Sequence, residues 1–342
     1  MTYLVWRQYR LQWAIALALL AAIAVVEVID GLHMASAWHS LQVACGTTAP
    51  TAGQGGGCLS QSIVSVVGND FRILSVLVPA VLGILWGAPL IAHEMETGTT
   101  SFAWTQGTTR TRWLVAKVGY LMLAAVIWAG AASALVTWWS GPENAQRGDQ
   151  FQSNYFNTQG IVPVGYAVVA MALGITAGVL IRRTVPAIAV TLAGYVALRA
   201  WFAEQIQFHL LPAVTTYTSL ASTWSPGGIS IGQGATVINA AGQNVGGSQF
   251  STALYMPNGN PVATSYVPAA CHQFLPSPIP PGGGNASPSL VSCLSKAGFR
   301  NVFSYQPGSR YWEFQGLETG IYVLMAAILL AVAFYAIRRR DA

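Results

Sequence analysis

Residues 161–181 and 184–203 are two apolar runs with only Arg182 and Arg183 between them. Hydrocarbon offers a bare backbone no hydrogen-bond partner, so an apolar run of about 20 residues crosses a bilayer as a helix. Two such runs joined by two residues predict a tight helical hairpin. Further runs lie at about 13–29, 73–91, 118–136 and 321–337, the second of them interrupted by Pro79 and Pro89. The chain is 53% hydrophobic and 8% charged, whereas soluble domains carry roughly 25% charged residues. The predicted class is therefore an all-α membrane protein with six transmembrane helices and a large extracellular insertion between the fifth and sixth. Two arginines precede the first run and no small-residue cleavage site clearly follows it, so a retained helix is expected rather than a signal peptide.

Lys and Arg orient the spans. Ten of the sixteen fall in residues 1–12, 92–117, 182–183 and 338–342, which places these segments and both termini in the cytoplasm. The net charge of +5 thus reads as membrane orientation, not as a nucleic-acid surface. The N-terminal stretch, with Tyr3, Leu4, Trp6, Arg7 and Arg10, suits a helix lying along the inner interface.

The chain divides into a five-span part, residues 1–203; an extracellular segment or small domain, residues 204–316; and a last span with a basic tail, residues 317–342. All four cysteines lie on the predicted outer side: Cys45 and Cys58 in the first loop, Cys271 and Cys293 in the last. Disulfides within each loop, Cys45–Cys58 and Cys271–Cys293, are the favoured pairing in that oxidising compartment, with four unpaired thiols as the alternative. A short helix is expected at 289–297, with Pro288 in its first turn and Gly298 as its stop. The Thr236–Ile238 run is β-branched.

The inner segment 93–117, HEMETGTTSFAWTQGTTRTRWLVAK, holds the densest chemistry. Glu94 and Glu96 follow the second span, Gly98 can end it, and Thr99 to Trp104 can add a short helix beneath the membrane. Phe102 and Trp104 are large enough to anchor a partner, and Glu94 and Glu96 suit basic groups on it. The alternative is that Trp104 only anchors at lipid headgroups and the charges are solvated. Glu27, Asp30 and Arg199 lie near outer span ends. Charges there face a bundle interior or reach the headgroup layer, so a Glu27–Arg199 gate and three headgroup contacts both stand. Pro79, Trp86 and Pro89 suit either a pathway lining or a packed core. His33 and His39 near Cys45 are a weak metal possibility; no metal site, catalytic triad or metalloprotease motif is recognisable.

The segment resembles the coupling loop of type-2 exporter permeases of the ATP-binding-cassette class. Glu94, Glu96, Gly98, Thr99, Thr109, Arg110, Arg112 and Lys117 stand where that family has its acidic, Gly-Thr, Thr/Ser-Arg and Lys positions. Residues 305–318, YQPGSRYWEFQGLE, are similar to a stretch before the last span of actinobacterial permeases. The resemblance implies a dimer of permease chains, a homodimer being expected, above two separate ATPase chains. It also implies a bacterial plasma-membrane location and export of a hydrophobic or amphipathic compound: a drug, antibiotic, lipid or peptide. The chain has no phosphate-binding loop at Lys117 or Lys296, its only lysines, so ATP and Mg belong to the partner and no cofactor is expected here. Two rivals remain: a signalling or mechanotransmitting membrane protein, and an intramembrane enzyme.

Overall fold

The computed structural model describes residues 83–97, 110–141, 151, 153–219, 247–255, 268–274 and 288–339, with scattered positions between 18 and 81. The described positions between 18 and 39 are all helical. A π-helical turn, Gly83–Gly87, leads into α1, Ala88–Glu96. Then come α2, Arg110–Trp139, and the short α3, Ser153–Phe156. Helices α4, Val162–Ile181, and α5, Thr184–Gln205, form the hairpin. Strands β1, Val214–Ser219, and β2, Gly247–Tyr255, follow. After them come α6, Pro288–Lys296, β3, Arg300–Pro307, and α7, Tyr311–Arg339. Among the described residues four helices are long and apolar enough to cross a membrane: Arg112–Trp138, Val162–Ile181, Thr184–Gln205 and Gly308–Arg339.

Helix α4 is the hub. It is buried nearly all round, as a helix apolar on every face must be when neighbours enclose it. Against it lies the π-turn, backbone to backbone. A Cβ on Gly174 would sit 2.6 Å from the Gly83 carbonyl oxygen, and one on Gly83 would sit 2.6 Å from that of Ala170. The GILWG of Gly83–Gly87 thus faces the GITAG of residues 174–178, two small-xxx-small stripes in reciprocal contact. Pro89 is tolerated because it falls in the first turn of α1, where its missing N–H has no helical partner. An alanine seam, Ala88, Ala92, Ala177 and Ala187, continues this packing between α1, α4 and α5. Trp86 is half-buried against the larger cluster of Ile91, Met171 and Ile175.

Helix α7 starts ten residues before the predicted last span, and α2 eight before the predicted third. Gln315 and Glu318, polar residues ahead of the apolar run at 321–337, are both fully buried in the bundle. Residues 204–316 also depart from an all-α class. They carry a three-stranded antiparallel sheet in the order β1-β3-β2, with Val214 opposite Tyr305 and Gly247 opposite Pro307. Phe250 is the extra residue where the β2 register shifts between Gln249 and Ser251. Thr236–Ile238 lies outside the described residues.

Helix α6 matches the expected short helix. Gly298 takes φ +83°, the Phe299 N–H donates to the Leu294 carbonyl, and the Gly298 N–H donates to that of Ser295. That is a Schellman end, which glycine adopts without a Cβ clash. The Cys271–Cys293 disulfide pins α6 to the turn at 269–274. Closing 22 residues is worth about 3 kcal/mol in the chain-entropy account. Cys45 and Cys58 lie outside the described residues.

Candidate functional site

Helices α4 and α5 both begin badly. Their N-cap positions hold Ile161 and Arg183, neither of which makes a side-chain cap. The first N–H groups of a helix need acceptors, and in both cases another helix supplies one.

At the elbow end, where α1 leads into segment 98–109, the acceptor is Glu96. Its Oε2 receives the Thr184 N–H (3.0 Å) and the Thr184 hydroxyl (2.7 Å). A carboxylate at a helix N-terminus also faces the positive end of the dipole. The Thr184 hydroxyl and N–H hold the Glu96 carboxyl below its ordinary range. Two residues earlier, on a different side of α1, Glu94 pairs with Lys117 of α2. Lys117 is buried beneath the helix surface, its ammonium 4.8 Å from the centre of the Trp113 ring. Thus α1 is tied by Glu94 to α2 and by Glu96 to α5. Between α4 and α5, Arg182 makes the turn in the left-handed region at φ 59° and closes α4 by donating its N–H to Gly178.

At the sheet end the acceptor is Gln315 of α7. Its Oε1 receives the N–H groups of Ile161 and Val162, each at 2.9 Å. Its Nε2 donates to the Phe156 carbonyl at 3.1 Å. Around it Phe151, Phe156, Tyr311 and Phe314 pack edge-to-face or stacked. The loop before α4 is fastened to α2: Ser133 donates to the Gly160 carbonyl, and the Gly160 N–H donates to Thr137 Oγ1.

One turn deeper sits the only carboxylate that is fully buried among the described residues, Glu318. The Tyr166 hydroxyl lies 2.6 Å from Glu318 Oε1 and 2.9 Å from Asn157 Oδ1. It carries one proton, which goes to the charged acceptor. Arg199 Nη1 is 3.5 Å from Glu318 Oε1 and donates to the Tyr322 hydroxyl at 3.1 Å. The guanidinium lies 3.7 Å above the Tyr166 ring, a cation–π stack. Gln207 donates to Asn157 at 2.6 Å. It lies beside the carboxylate, yet among the described residues Glu318 Oε2 and Gln207 Oε1 have no hydrogen-bond partner. A charge inside a membrane is retained when it is paired or faces a polar interior, and here it is paired.

The candidate residues therefore separate. Glu94 and Glu96 are engaged within the chain. Arg112 is exposed on the first turn of α2, and Arg110 starts that helix. Gly98, Thr99, Phe102, Trp104 and Glu27 lie outside the described residues. Among the described residues the acid beside Arg199 is Glu318. Glu318 and Gln315 escaped the sequence reading because each alone looks like the polar edge of a span. The readable signal is the spacing of Tyr311, Gln315, Glu318 and Tyr322, which repeats on one helical face. Among the described residues no group of three or more His, Cys, Asp or Glu could hold a metal ion.

A bundle of apolar helices packed through small residues, with polar clamps at both ends, defines a membrane-embedded helical subunit. The chain belongs to the ABC-2 membrane transporter related family, whose model matches residues 17–207. It is accordingly a membrane subunit of the kind that associates with an ATPase subunit. No curated protein and no solved structure matches the chain.

Proposed function

We propose that the chain is the permease subunit of an ATP-driven exporter that moves a hydrophobic or amphipathic compound out of the cell. Two copies would form the pathway, and two separate ATPase chains would bind ATP and Mg below them. The carrying observation is the pair of clamps on α1. Segment 98–109 connects two helices that Glu94 and Lys117 already tie together, and Glu96 extends the tie to α5. A load applied to that segment would reach three helices as one rigid body.

On this reading Gly98 and Thr99 shape the elbow, Phe102 and Trp104 dock the ATPase, and Arg110 and Arg112 meet its acidic groups. Glu94 and Glu96 transmit the load. Arg199 belongs to a gate at the sheet end, which the lysine and arginine distribution puts outside the cell; Glu27 and Trp86 are candidates for the pathway. Sparse fixed charge along the spans suits apolar cargo better than ions or sugars.

The test is reconstitution of the chain with its ATPase in vesicles. Trp104→Ala should lower ATPase binding at least tenfold, whereas Glu94→Gln should leave binding intact and lower cargo accumulation per ATP. Cargo-independent ATP hydrolysis with no accumulation would overturn the exporter reading. It would favour signalling or mechanotransmission, for which the direct run of β3 into α7 speaks.

A further inference from the structure

The sheet is joined to the bundle in an unusually stiff way. Only the turn Gly308–Arg310 separates β3 from α7. The chain leaving α5 continues as β1, which pairs with β3, so the stretch just before β1, several residues beyond the end of α5, is held against the start of α7. Buried Gln306 donates to the Leu211 carbonyl at 2.7 Å, and Arg310 donates to the Pro212 carbonyl at 2.9 Å and to Gln306 Oε1 at 3.3 Å. Any displacement of the sheet is therefore delivered to the start of α7.

What α7 would have to break in order to move is concentrated in one face. Below the Gln315 cap, Glu318 bonds to both other helices, to the Tyr166 hydroxyl of α4 and the Arg199 guanidinium of α5, and Tyr322 one turn on packs against the Tyr166 ring and accepts from Arg199. Directional bonds of this kind are lost together, which gives a two-state element instead of a graded one. Deeper, α7 packs on its neighbours mainly through apolar side chains, with the Thr176 hydroxyl of α4 donating to the Leu329 carbonyl at 3.0 Å. Two polar atoms at this level, Glu318 Oε2 and Gln207 Oε1, have no hydrogen-bond partner among the described residues, so the same side chains have capacity for a second set of partners.

We propose, building on the permease reading, that Glu318 is a positioning residue that latches the last span to α4 and α5. Releasing it lets the sheet and α7 swing away from α5 as one lever, so that a load on the sheet controls opening at that end. Trp201 near the end of α5 and Trp312 at the start of α7 are both exposed and flank the latch. Each is replaced by a genetically encoded spin-label residue in the full chain, in lipid nanodiscs, and the distance between them is measured by pulsed electron resonance.

One narrow distance population is expected for the otherwise unaltered chain. Glu318→Gln should add a longer population at least tenfold above its unaltered level, with the Cys271–Cys293 disulfide still closed and ATPase binding unchanged. Tyr322→Phe removes only the hydroxyl that accepts from Arg199, and should shift the distribution less, in the same direction. It decides the matter if Glu318→Gln does not fold. Unaltered distances in the folded variants would overturn the latch. Shifted distances in a chain that moves no cargo would uphold the latch and overturn the permease reading instead.

Discussion

Two helices of this protein lack a cap of their own, and the two ends of the bundle solve the problem differently. At the elbow end a solvent-exposed carboxylate, Glu96, receives the N–H of Thr184. At the sheet end a buried amide, Gln315, receives those of Ile161 and Val162. Water near Glu96 bears the cost of a charge, so a full charge can serve the helix dipole there. Inside the bundle an unpaired charge costs several kcal/mol, so a neutral amide does the same work. Where a carboxylate is nonetheless buried, at Glu318, an arginine and a phenol accompany it. The elbow end is accordingly adjustable by salt and pH, whereas the sheet end is insulated from both.

The contrast is broken most severely at Glu318. Glu318→Ala leaves the Arg199 guanidinium buried without its anion, a loss of about 4 kcal/mol. It should appear as a collapse in yield of folded chain and in unfolding temperature in detergent. Gln315→Ala orphans two N–H groups at the start of α4, that of Val162 buried and that of Ile161 partly so, and should cost about 2 kcal/mol in the same measurement. Gly174→Ala places a methyl against the Gly83 carbonyl and the Ala88 N–H. Over-packing of that order costs about 2 kcal/mol, and it should loosen the contact of α1 with α4 as read by accelerated hydrogen exchange at residues 88–92.

Glu96→Gln is the mildest change and the one that sharpens the comparison. The Glu96 carboxyl titrates below its ordinary 4.5 when folded. Its contribution to stability is therefore fully present above that value and is lost as pH falls through the lowered one. The unaltered chain should lose unfolding temperature in that acid window and in high salt; Glu96→Gln should lose the part of that dependence due to this cap. If Gln315→Glu proves as well tolerated as Glu96→Gln, burial does not separate the two ends.

The hairpin of α4 and α5 was legible because apolar content and the Arg182–Arg183 joint agree at every level. So was α6, through Pro288 and Gly298, whose backbone preferences are local. The start of α7 was not, because Gln315 and Glu318 contradict a membrane helix until their partners, some 150 residues away in sequence, are known. The strands were missed for a related reason. VTTYTS at 214–219 has ample β propensity, but nothing local reveals that β3 pairs with it. In the site, the acidic elbow could be located from residue types alone, whereas which carboxylate meets which helix depends on packing between α1, α2 and α5.

The three-residue joint between β3 and α7 has one more effect, on what insertions the gene can tolerate. A helix turns about 100° per residue, so one residue added at the joint would rotate everything after it by that angle relative to the strand. Gln315 and Glu318 would then point into lipid and apolar neighbours into the bundle. Length at this joint is consequently held tightly: a single-codon insertion or deletion throws the whole helix out of phase.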